Sequence, residues 1–134
     1  RDPAAQIPGL IAEVPDGDWS ALDTREAGYA RCDATPGLSP SRENVAVYSV
    51  QEADFVRHGA HVILLSYLDV VIQGYAQVFG APGVAAFFDT TTGWDIPILD
   101  DRTAPKYPRA QRLTKAETAL VDSYVTKTGR VIAP

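Results

Sequence analysis

Leu22-Asp23-Thr24-Arg25-Glu26-Ala27-Gly28-Tyr29-Ala30-Arg31 joins the end of a short helical pattern to the start of an extended one. The break falls at Gly28, so a carboxylate, a glycine and a tyrosine meet at one corner. Just upstream, Pro15-Asp16-Gly17-Asp18 has turn chemistry, and Asp16 or Asp18 can accept hydrogen bonds from the free amides that open a helix over residues 19–26. Trp19 and Leu22 stand at i and i+3 and are expected to pin this helix to the core. Glu26 follows one turn later, close to the same face. A glutamate in the last turn of a short helix is most often a solvated surface group. Placed instead against apolar surface at a helix carboxyl end, it suits proton transfer.

Outward from this corner, residues 29–35 and 44–50 read as two strands separated by the turn residues Pro36-Gly37-Leu38-Ser39-Pro40, which predicts a hairpin. Apolar residues on both alternations of 45–50 predict a second strand buried on both faces. Towards the amino terminus, residues 7–14 alternate well enough for a strand, with Pro8 restricting it to an edge or a strand start. Residues 51–59 are polar and irregular. His58 and His61 are spaced i and i+3 with no adjacent Glu or Cys, and are expected to be two loop histidines without a metal.

Residues 63–79 carry the strongest helical period, through Leu64, Tyr67, Leu68, Val71, Ile72, Tyr75 and Val78 or Phe79, with Gly80 where a carboxyl cap belongs. Gly74 within it implies close packing against another backbone. Pro82 is placed to open a second helix ending near Asp89, so a helical hairpin is expected. Residues 95–112 have little period but three prolines, which predicts an ordered loop. Its Asp100, Asp101, Arg102 and Arg109 suit an ion-pair network or the lining of a substrate site. Thr114-Lys115-Ala116-Glu117 is a capping box for a last helix to about residue 125, followed by a tail.

The 134 residues are 46% hydrophobic, enough for one compact domain and not for two. A net charge of -5, with no clustered Lys or Arg, argues against a nucleic-acid surface or an anionic membrane. The longest apolar runs are too short to span a bilayer and no leader opens the chain, so a cytoplasmic protein is expected. Cys32 has no cysteine partner and reads as a small buried residue. Nothing in the sequence calls for a cofactor.

The Leu22-Asp23-x-Arg25-Glu26-x-Gly28-Tyr29 motif followed by a strand resembles the acidic motif of the gamma-glutamylcyclotransferase family. Val45-Ala46-Val47-Tyr48 resembles the family's second barrel strand, and Ser66-Tyr67-Leu68-Asp69-Val70-Val71-Ile72-Gln73-Gly74-Tyr75 its long helix. Residues 95–109 are similar only to a bacterial branch. The resemblance implies an α+β fold, a small mixed β-barrel or sheet with flanking helices, in a single domain over residues 1–134. It implies cyclisation of a gamma-glutamyl amide to 5-oxoproline, with Glu26 as catalytic acid/base and Tyr29, Tyr67 and Arg25 binding the substrate. The family also carries a Tyr-Gly-Ser loop whose amides cradle the gamma-glutamyl group, and no such sequence occurs here. With no initiator Met in residues 1–6, the expectation is that the loop and the first strand or two come from upstream sequence or a second chain, or that the site has been lost. The partners this implies are a gamma-glutamyl small molecule, and a homodimer or a separate amino-terminal segment. Two other functions fit the same residues: a non-catalytic ligand-binding or assembly module, and a transferase passing the gamma-glutamyl group to another amine.

Overall fold

In the computed structural model, which describes residues 6–51 and 61–134, the chain clusters into two compact units, Gly9–Gly59 and Ala60–Pro134 with Arg1–Pro8. Each is described by itself. Residues 52–59 of the expected irregular segment, with His58, lie outside the described residues.

The first unit opens with a single 3-10 turn, Pro15–Gly17, in which Asp16 and Gly17 take φ of 55° and 67°. Asp18 then accepts the Ser20 amide at 2.9 Å, the expected cap, and this bond holds its carboxyl below the ordinary carboxylate range. Helix α1, Ser20–Arg25, ends with Glu26 as its carboxyl cap. The expected hairpin forms: β1, Ala30–Asp33, pairs antiparallel with β2, Ala46–Ser49, in the register Arg31 to Tyr48 and Cys32 to Val47. Asp33 accepts the Thr35 amide at 2.9 Å and Ala34 donates to Val45 at 2.8 Å, which closes the loop between the strands.

Two expectations fail in this unit. The strand expected over residues 7–14 does not form, and Leu10 and Ile11 are exposed, because a strand needs a partner for its backbone groups and none of the described strands takes that place. Nor is β2 buried on both faces: Val47 is half exposed, as a two-stranded ribbon has only one face to cover.

In the second unit, β3, Ile63–Leu64, leads directly into α2, Leu65–Thr90; β4, Ile98–Leu99, precedes α3, Lys115–Thr128, and β5, Val131–Ile132, closes the series. The three strands pair in parallel in the order β3-β4-β5, with Ile63, Ile98 and Val131 in one row. Each strand step crosses over through a helix, the connection parallel pairing requires. The expected loop therefore contains β4 and the expected tail contains β5. Two-residue strands are too short to show a period.

The core joins Leu65, Leu68, Ile72, Val84 and Phe88 of α2 to Ile98, Val121 and Val125. Tyr67 and Val78, expected on the inward stripe of the helix, are nearly half exposed, since the buried face runs through 65, 68 and 72. Among the described residues nothing lies within 4 Å of a Cβ placed on Gly74, so none of them makes its expected close contact. The break at Gly80 is present, with φ 66° and ψ −167° two residues before Pro82. It folds the helix back so that Phe87 lies 5.1 Å from Tyr75; an unbroken helix would separate them by about 18 Å along its axis. By length and composition α2 is apolar enough to cross a membrane, but neither piece flanking Gly80 reaches the about 20 residues a span needs.

The reversal depends on Gly83. A Cβ there would lie 2.2 Å from the Phe79 Cβ, a backbone-anchored atom that cannot swing aside. Gly83→Ala is expected to destabilise the fold by about 1–3 kcal/mol, read as a lowered urea midpoint. An unchanged midpoint would show that the two pieces separate freely.

The capping box of α3 forms as the sequence predicts. Thr114 Oγ1 accepts the Glu117 amide at 3.2 Å, and Glu117 Oε2 accepts the Thr114 amide at 2.7 Å. The Thr114 amide, then Gln73 Nε2 at 3.0 Å, pull the Glu117 carboxyl down to about 2. Its folded pKa lies below its unfolded value of 4.5, so its contribution is complete above that pH and lost as the pH falls toward about 2. Thermal melts are expected to show the parent losing more Tm than Glu117→Gln across this window. Parallel curves would remove Glu117 from the acid response.

The described residues thus build a mixed α+β structure with a two-stranded antiparallel and a three-stranded parallel sheet. They close no barrel.

Candidate functional site

Glu26 owes its position to the end of α1. Its backbone N–H donates to Leu22 O at 2.9 Å, and its carbonyl accepts the Tyr29 amide at 2.8 Å, which carries the chain around Gly28 into β1. The corner is locked by a web that the motif alone does not reveal. Asp23 accepts the Tyr48 hydroxyl at 2.5 Å and pairs with Arg31 at 3.3 Å, while the Arg31 guanidinium lies 4.6 Å over the Trp19 ring. Tyr48 and Arg31 face each other across the hairpin, so one register step ties helix to sheet. Desolvation and the adjoining Asp23 carboxylate both push the Tyr48 phenol up.

The Glu26 side chain is 25% exposed and takes Arg25 Nε on Oε1 at 2.8 Å. Its neighbour is a guanidinium, where apolar surface was expected. Tyr29 is half exposed and lines an open hollow of about 470 Å³ with Ala27, Gly28, Ala30 and Gln51. A larger hollow of about 660 Å³ in the same unit runs between residues 10–17 and Glu43–Ala46, with Trp19 in its wall. Glu26 is outside the lining of both. The structure therefore brings Arg25 to Glu26 and sets Tyr29 one backbone turn away.

Tyr67 belongs to the second unit. It is 46% exposed near the start of α2, with its ring edge-on to Tyr107 at 5.1 Å. Beneath it lies a buried polar cluster. Asp101, 2% exposed, accepts the Ser66 amide at 2.8 Å, the Ser66 hydroxyl at 2.6 Å and the Lys106 amide at 2.8 Å. Desolvation raises the Asp101 carboxyl, but these bonds outweigh it and hold the group below its ordinary range. Arg102 grips Asp69 with both Nε and Nη2, at 2.8 and 2.7 Å, and reaches Asp122 with Nη1 at 2.6 Å. The hydrogen bonds it donates to these carboxylates, Asp69 first, raise its already high pKa further.

Of the alternatives open for Asp100, Asp101, Arg102 and Arg109, the ion-pair reading holds for Arg102, and Asp101 anchors backbone. Asp100 accepts the Arg102 amide at 3.3 Å, and Arg109 is exposed with its carbonyl bound by Gln111. Sequence reasoning missed Asp69, Asp122 and Ser66, although a charge on an otherwise apolar helix was a signal for Asp69. Cys32 is half-buried on β1. Among the described residues no three of His, Cys, Asp and Glu converge as metal ligands.

Comparison of the chain with protein-family models, curated proteins and solved structures returned no match.

Proposed function

We propose that the chain is a gamma-glutamylcyclotransferase-like enzyme that converts a gamma-glutamyl amide to 5-oxoproline and a free amine, built on the small-barrel type of fold to which its motif is similar. The observation that carries this reading is the Glu26 carboxylate, 25% exposed and held by Arg25 at the end of α1, two residues before the Gly28 and Tyr29 that line a hollow it does not itself line.

The chemistry needs no nucleophilic side chain. Glu26 takes a proton from the substrate's alpha-ammonium, and the freed amine attacks the gamma-carbonyl carbon to close a five-membered ring. The tetrahedral oxyanion collapses, the carbon–nitrogen bond to the leaving amine breaks as Glu26 returns its proton to that nitrogen, and the second proton of the ring nitrogen passes to the released amine, which leaves as an ammonium beside 5-oxoproline. Arg25 orients the Glu26 carboxylate and offers the outer edge of its guanidinium to the substrate's alpha-carboxylate, while Tyr29 orients the carboxyl group or the substrate. By the resemblance, the oxyanion donors are backbone amides of a Tyr-Gly-Ser loop, a sequence that residues 1–134 do not contain. Without such donors the rate falls about 100-fold or more.

The test is a proton NMR time course with glutathione, gamma-glutamyl amino acids and gamma-glutamylamines, run beside Glu26→Gln. The parent is expected to release 5-oxoproline, and the substrate consumed identifies the leaving amine. A new amide in place of 5-oxoproline would make the chain a gamma-glutamyl transferase. One observation favours a different class: Leu10 and Ile11 are exposed at 76% and 56% in the first unit, surface that an assembly module would cover. Absence of either product, together with self-association in sedimentation, would decide for that module.

A further inference from the structure

Four of the chain's twelve Lys and Arg stand at intervals of three in one segment of the second unit: Lys106, Arg109, Arg112 and Lys115. No two are adjacent, and a net charge of -5 over the whole chain hides them. All four are exposed, and among the described residues none pairs with a carboxylate. The carboxylates of the same unit are used inwardly: Asp69 and Asp122 hold Arg102, Asp101 holds Ser66 and the Lys106 amide, and Glu117 caps α3. The backbone that carries the cations is fixed. Pro105 and Pro108 restrict its dihedrals. The Lys106 amide donates to Asp101 Oδ2 at 2.8 Å, the Tyr107 amide to Ser66 Oγ at 3.3 Å, and the Ala110 amide closes a turn on Tyr107 O at 3.1 Å. Between the cations Tyr107, Ala110 and Leu113 are partly buried, and Leu113 packs against the core. Cα atoms three residues apart lie within about 11 Å of each other, so an anion between two neighbouring cations is inside one Debye length, about 8 Å, of both.

We propose that residues 106–115 are a docking surface for a short acidic segment of a partner protein, whose carboxylates pair with Lys106, Arg109, Arg112 and Lys115. Charge complementarity selects an anion, and the guanidinium forks of Arg109 and Arg112 match carboxylates in two-point pairs. Two observations select a peptide over a nucleic acid. A single strand is gripped by stacking its bases on exposed rings, and the one aromatic residue of the segment, Tyr107, is partly buried with its ring edge-on to Tyr67. A duplex extends far beyond four cations and meets a chain of net charge -5, whereas a short segment feels only the charges within a Debye length. Because residues 106–115 are already held in place, docking costs them little conformational entropy. The surface uses no residue of the Glu26 corner and stands whatever reaction that corner performs.

The experiment is fluorescence anisotropy on the full chain with a labelled oligoglutamate of about ten residues, beside a Gly-Ser peptide of the same length and an oligothymidylate carrying a similar number of charges. The parent is expected to bind the oligoglutamate and not the Gly-Ser peptide, with an affinity that falls as salt is raised from about 50 to about 200 mM. Lys106→Gln/Arg109→Gln/Arg112→Gln/Lys115→Gln is expected to weaken binding about tenfold or more, the sum of four exposed ion contacts. Arg109→Gln/Arg112→Gln, the variant to use should the fourfold change fail to fold, is expected to lose about threefold. Lys127→Gln/Arg130→Gln removes the same charge elsewhere in the unit and leaves the affinity at the parental value. A parent that does not bind the oligoglutamate overturns the proposal, as do equal losses in the two double variants, which would make the attraction one of net charge. Tighter binding of the oligothymidylate than of the oligoglutamate overturns the peptide and assigns the surface to nucleic acid.

Discussion

Glu26→Gln is expected to lower 5-oxoproline release by about 10²–10⁴-fold, the usual contribution of a single acid/base group, while leaving folding and substrate affinity close to the parent's. Gln has the shape of Glu and keeps an oxygen for Arg25 Nε, now 2.8 Å from Oε1. The bonds that place residue 26, its amide to Leu22 and its carbonyl to the Tyr29 amide, belong to the backbone and survive the change. What the amide cannot do is accept a proton from the alpha-ammonium. Turnover is read by NMR and affinity by calorimetry on the same samples. Parental turnover in the variant would remove Glu26 from the chemistry. Loss of affinity together with turnover would assign it to gripping the alpha-amine.

The largest expected effect on stability is at Arg102. Removing its guanidinium strands Asp69, 5% exposed, beneath the chain without its two-point partner. Breaking one side of a buried pair costs about 3–5 kcal/mol, because the remaining charge stays desolvated. Arg102→Leu is therefore expected to lower stability by about that amount in urea titrations. Removing both charges, in Asp69→Leu/Arg102→Leu, should recover most of the loss, since two apolar side chains replace a pair whose attraction mainly offset its own desolvation. A double variant as unstable as Arg102→Leu would show that Arg102 acts chiefly through Asp122, which it reaches at 2.6 Å. Arg102→Lys is expected to fall between, since one ammonium cannot span the fork that joins α2 to α3.

Local chemistry made several elements legible. The Asp18 cap, the hairpin of β1 and β2, the break at Gly80 and the Thr114–Glu117 box each rest on contacts between residues close in sequence. Glu26 could be placed at a helix end for the same reason. Its surroundings could not, because whether a carboxylate meets apolar surface or Arg25 depends on rotamers that periodicity does not fix. The web of Asp23, Tyr48, Arg31 and Trp19 was hidden too, since it depends on the register that sets Arg31 opposite Tyr48.

The sequence by itself determined where helices start and stop, where the chain turns, and which carboxylate stands at the corner before Gly28. Tertiary structure alone decided the parallel sheet, because β3, β4 and β5 are two residues each and exist only through one another's hydrogen bonds. It also decided which face of α2 is buried, moving Tyr67 outward, and it converted a proline-rich loop into the anchor of Asp101 and Arg102. Those outcomes join residues more than thirty positions apart, as Ser66 and Asp101 are, and a local pattern carries no record of such a distance.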